Sequence, residues 1–225
     1  MKTAKIICAV LCLSLAVTAF GCGKGGSENP TDSAAPSVSQ PSGKNDELNI
    51  KKGIEEMTRL DNAKKTQILA SDGEELKSAL SDKMSSGALF RTSERTSVTL
   101  SGEYGKKTVT VNAPSGSLIS ESAGLDFVLE ATGTGGLITD AAAGSIYVKG
   151  ENIPLTLKAG ADAVYVYGKN CTVTLKGGEY PSVTVLNSTA VIENKTENDI
   201  TVTLANGAGM TVKAGETCNF ADSVG

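Results

Sequence analysis

The sequence predicts an all-β fold: a parallel β-helix, or solenoid, of about six coils of 18–19 residues with an N-terminal α-helical cap. Three observations predict it. Small apolar residues recur at a fixed interval, with Leu118, Leu137, Leu155, Val173 and Ile192 in one series. Val109, Phe127, Ile146, Val164, Val183 and Val202 form a second, and both advance in steps of 18 or 19 residues. Most runs carry another apolar residue two positions on, as in Leu155/Leu157 and Val164/Val166, the period of a strand whose side chains alternate between faces. Glycine is abundant, 25 of 225 residues, and falls between the runs at Gly150, Gly160, Gly168 and Gly177-Gly178, where the chain must turn. A meander of hairpins has no need to keep alternate strands equal in length. A coil that stacks on the one beneath it does.

The N-terminus reads as an address. Lys2 and Lys5 precede an apolar run from Ile6 to Phe20, which closes on Ala19-Phe20-Gly21 and then Cys22. This segment resembles a bacterial lipoprotein signal. The resemblance implies removal of residues 1–21, a lipid on the Cys22 thiol, and a mature protein held at the cell membrane facing the extracytoplasmic side. The run is also short of the ~20 apolar residues that a spanning helix needs. Residues 22–46 are rich in Gly and Ser, contain Pro30, Pro36 and Pro41, and have almost no large apolar side chain. Such a stretch buries too little surface to offset its chain entropy and is expected to be a disordered tether.

Residues 47–97 read as a helical cap region. Ile50, Ile54, Met57 and Leu60 have the three-and-four spacing of one helical face. A second helix is signalled by Ser71-Asp72, with Glu74 or Glu75 placed to complete a capping box and Leu76, Leu80 and Met84 on one side. Laid over the first coil, it would cover an open solenoid end that otherwise invites edge-to-edge pairing. The β-helix domain is expected over residues 98–225.

Coils such as Leu155-Thr156-Leu157-Lys158-Ala159-Gly160 and Val173-Thr174-Leu175-Lys176-Gly177-Gly178, preceded by a capping helix, resemble the right-handed parallel β-helix of the pectin-lyase-like superfamily. The resemblance covers about Ile68 to the end and is architectural. It implies the fold and, for catalytic members, a polysaccharide lyase or hydrolase, often with calcium held by clustered acids and an Arg or Lys base. The sixfold pattern of the left-handed hexapeptide helix is missing, as is the Gly-Gly-x-Gly-x-Asp run of the calcium roll.

The composition removes several chemistries. There is no histidine, which eliminates Ser-His-Asp, Cys-His and His-zinc mechanisms. The formal charge of −4 gives no footprint for nucleic acid. All three arginines, Arg59, Arg91 and Arg95, precede the repeats, and Glu130, Glu151 and Glu193 have no evident carboxylate partner for glycoside hydrolysis. Asp126, Asp162 and Asp199 recur every second coil, about 9–10 Å apart, too far to share one calcium ion. They are read as turn residues. No catalytic residue, metal or cofactor is expected, and Cys171 and Cys218 fall on different faces, which argues against a disulfide.

Two outward stripes remain as candidate ligand surfaces. Lys158, Lys176, Lys195 and Lys213 are spaced 18, 19 and 18 and would suit an acidic polymer such as a uronan or a wall phosphate polymer. Glu179, Glu197 and Glu216 follow at nearly the same interval and would instead pair the stripe. Tyr147 and Tyr165, with Tyr167 two residues on, would offer a flat platform to sugar rings, or merely stack on each other between coils. The expectation is therefore a membrane-anchored, non-catalytic lipoprotein that binds carbohydrate or another envelope component. Its rivals are a polysaccharide lyase or hydrolase of the β-helix type and a structural or protein-binding module.

Overall fold

Two β-sheets face each other across one apolar core, and successive coils add a strand to each. The computed structural model describes residues 44–220; the expected signal peptide, Cys22 and nearly all of the expected tether lie outside the described residues. Helix α1 (Lys44–Ala63) is followed by a 3₁₀ turn (Lys64–Thr66), β1 (Ile68–Ala70), helix α2 (Gly73–Ser81), β2 (Gly87–Arg91) and β3 (Ser97–Leu100). Five coils then pair β4 (Thr108–Ala113) with β5 (Ser117–Ser120), β6 (Asp126–Thr132) with β7 (Leu137–Thr139), and β8 (Ala143–Val148) with β9 (Pro154–Leu157). They continue with β10 (Ala161–Val166) and β11 (Thr172–Leu175), then β12 (Val183–Val185) and β13 (Val191–Asn194). The last strands are β14 (Ile200–Leu204), β15 (Gly209–Val212) and β16 (Thr217–Asn219). Sheet A has the order β1-β2-β4-β6-β8-β10-β12-β14-β15, and sheet B the order β16-β13-β11-β9-β7-β5-β3.

Both apolar series are columns of directly paired residues. Leu118, Leu137, Leu155, Val173 and Ile192 stack through sheet B. Val109, Phe127, Ile146, Val164, Val183 and Val202 stack through sheet A. Each of these eleven side chains is at most 1% exposed. The register follows from the period of two: a slip by one residue would turn every one of them to solvent.

The coil begins earlier than expected. Parallel pairing starts with Ile68 against Ala88, and Ala88 in turn pairs Val109. The solenoid thus has about seven turns, with one that the repeat search missed because Ala88 to Val109 is a 21-residue step. Helix α2 belongs to this first turn. Asp72 caps it, its carboxylate accepting from the backbone of Glu74 and Glu75 at 2.9 Å, while Ser71 donates to Glu75. Leu76, Ala79 and Leu80 enter the same core as Ala70, Phe90 and Leu100. The helix ends at Ser81, so Met84 is not on its buried face and is almost fully exposed.

The parallel pattern also stops before the chain does. Strand β15 turns back antiparallel to β14, and β16 lies antiparallel to β13. Asn194 marks the change. It occupies the inward column of Leu157 and Leu175, but its buried amide donates to Asn198 O and Val212 O and accepts from Thr196. A side chain that would continue the aliphatic column instead ties down the terminal hairpin, leaving no polar atom of its own unpaired.

Candidate functional site

Tyr147 and Tyr165 are paired neighbours on adjacent strands, as the register requires, but they are not an open platform. Tyr147 is fully buried and Tyr165 nearly so. Their rings are parallel within 10° with centroids 5.0 Å apart. At that distance parallel rings stack with an offset, so each partly covers the other's face. The expected flat sugar platform is therefore corrected: the rings are covered and stacked on each other.

Helix α1 is what lies over them. Leu60 and Met57 pack with Val128, Tyr147, Ala163, Tyr165 and Tyr167 in a cluster separate from the solenoid core. The helix lies against the rings at Gly53, where a Cβ would stand only 2.5 Å from the Tyr165 ring. This explains a glycine in mid-helix, where it costs about 1 kcal/mol relative to alanine: no larger residue lets the helix lie this low. The inner stripe is Gly53, Met57, Leu60 and Lys64, and Ile54, expected on that face, is half exposed. A search for large apolar residues missed the stripe because one of its members has no side chain.

Ion pairs flank the apolar strip. Lys64 is paired with Glu130, which also accepts from Asn112, and Asp61 accepts from Lys149 at 2.7 Å. Arg59 lies 3.8 Å from buried Asp126 on the opposite side. Asp126 accepts from the Ser145 backbone at 2.8 Å, and only a glycine at position 144 leaves room for its carboxylate. Among the described residues the Tyr167 hydroxyl is buried without a hydrogen-bond partner, and burial, with the neighbouring Tyr165, pushes its ionisation up to about 12.

The lysine stripe is real for three of its four members. Lys158, Lys176 and Lys195 each follow a sheet B strand and bond back to Thr139, Leu157 and Leu175, one coil below. All three are exposed. Lys213 follows β15, which has turned back antiparallel at the edge of sheet A, so it does not continue the parallel stacking of the other three. Lys158 is paired with Asp140 at 2.8 Å. Among the described residues Lys176 and Lys195 form no ion pair, and Glu179, Glu197 and Glu216 do not serve as partners. Glu179 and Asp199 instead line a shallow depression of about 360 Å³ beside this corner, with Tyr180 and Thr196.

The remaining carboxylates are dispersed. Glu193 accepts from Thr174 on the outer face of sheet B, whereas Glu130 is engaged on the outer face of sheet A. Asp126 is buried while Asp162 and Asp199 are exposed, and Asp199 accepts from the Ala214 backbone. Among the described residues no three acidic or cysteine side chains gather as a metal site. Cys171 and Cys218 are both buried and are not in a disulfide. No protein-family model matches the chain, and no curated protein or solved structure is significantly similar to it.

Proposed function

We propose that the chain is a lipid-anchored bacterial envelope protein, facing the extracytoplasmic side, whose non-catalytic solenoid binds an anionic envelope polymer. The binding surface is the corner formed by Lys158, Lys176 and Lys195, and the observation that carries it is the pair of unneutralised ammonium groups on consecutive coils. Like charges one coil apart, about 4.8 Å, repel each other. A uronan or a phosphate polymer, with anions repeating along its length, would relieve that repulsion. The β-solenoid is compatible with the pectin-lyase-like superfamily, and the proposal takes that likeness as one of fold. The non-catalytic reading is supported by carboxylates on opposite sheets, each already bonded, and by a chain without histidine.

Anchoring is tested by metabolic labelling with a fatty acid: the label is expected on the wild type and absent from Cys22→Ser. Polymer binding is tested by co-sedimentation of the full chain with polygalacturonate and with a glycerol-phosphate polymer. The double variant Lys176→Gln/Lys195→Gln is expected to bind about tenfold more weakly, equivalent to ~1.4 kcal/mol. Its remaining binding should depend less on salt. Equal binding by wild type and double variant overturns the polymer reading.

A further inference from the structure

We propose that α1 is a tension-released latch: a pull on the chain preceding Lys44 peels the helix from sheet A and uncovers Tyr147, Tyr165 and Tyr167, while the solenoid stays folded. The source of tension rests on the lipid-anchor reading above; the latch itself rests on the geometry of α1.

The direction of the helix sets up peeling. Lys64 reaches Glu130 on β6, Asp61 reaches Lys149 just after β8, and Gly53 lies on Tyr165 of β10. The helix therefore climbs the outer face of sheet A toward later coils, and its first residue, Lys44, is where an upstream anchor would pull. Force applied there loads one turn at a time rather than the whole contact at once. Arg59, Leu60, Asp61 and Lys64 hold the C-terminal end of the helix to the sheet.

Among the described residues no backbone hydrogen bond joins α1 to sheet A, while every solenoid strand is held by a ladder on one or both sides. The tyrosine cluster beneath α1 is distinct from the core that unites the coils, so opening it breaches no solenoid packing. An isolated helix of this length is marginal in water, more so with a central glycine, so a peeled α1 unwinds rather than swinging as a rod. Release also returns the Tyr167 hydroxyl, buried without a partner among the described residues, to water. The freed face presents aromatic rings between the carboxylates of Asp126 and Glu130 and the ammonium of Lys149.

The test is single-molecule pulling on the full chain carrying Cys22→Ser, with handles at its two termini. A reversible low-force step of roughly 80 Å or more is expected before the solenoid gives way, because α1 folds back along the solenoid and the whole extended reach of Lys44–Thr66 is gained on release. Leu60→Ala should lower the force of this step and leave the later solenoid event unchanged. A single event in which α1 and the coils unfold together overturns the latch, as does a step indifferent to Leu60→Ala. Without force, Gly53→Leu should keep the β-sheet circular dichroism while one tyrosine's ionisation, followed by ultraviolet absorbance, moves from about 12 toward 10. Loss of the β signal in that variant counts equally against it. Failure of Cys22 to take up lipid would remove the anchor and leave these outcomes untouched, so the two readings fail separately.

Discussion

The outer faces of the two sheets start from the same alternating pattern and meet different fates. In sheet B the strands β5, β9, β11 and β13 each alternate between half-buried and buried residues, as expected of strands with one face toward water. In sheet A, β4, β10 and β12 are buried along most of their length on both faces. The outward column Thr110, Val128, Tyr147, Tyr165, Thr184 and Thr203 is at most 6% exposed. Its counterpart in sheet B, Ile119, Ile138, Thr156, Thr174 and Glu193, stays half-buried. A strand's inward face is thus set by the coil, but its outward face depends on what the rest of the chain lays over it. Here the outer face of sheet A is occupied by the protein's own helix, while that of sheet B stays half-buried.

Substitutions on the two faces should separate widely. Tyr147→Ala removes a fully buried ring from beneath α1 and should cost about 3–5 kcal/mol in denaturant unfolding. A loss below about 1 kcal/mol would mean that the covering helix contributes little. Glu130→Gln strips the charge from the ion pair with Lys64 at the margin of the same contact. Because both groups are partly exposed, the expected loss is smaller, about 1 kcal/mol, and should shrink as salt is raised. On the open face, Thr156→Val at a half-buried strand position should shift stability by no more than about 0.5 kcal/mol. A larger change there would show that sheet B is covered in solution as well.

The legible part of the fold was the part repeated six times. Leu155 and Val173 announce their pairing because a coil must return to the same place, and the period of two fixes which side faces in. The first turn escaped because its loop is longer, and the last because a hairpin replaced the coil at Asn194. The same limit applies to surface stripes. Lys158, Lys176 and Lys195 align because their strands do, whereas Lys213 keeps the spacing after the geometry behind it has ended.

The sequence by itself determined the solenoid, its register and the capped helix at Asp72, because each follows from local periodicity or a side chain bonding its own backbone. Only the tertiary structure decided that the tyrosines are covered, stacked and held under Gly53. That arrangement joins residues about a hundred positions apart, and its contact at Gly53 depends on an absent side chain, which no periodic pattern records.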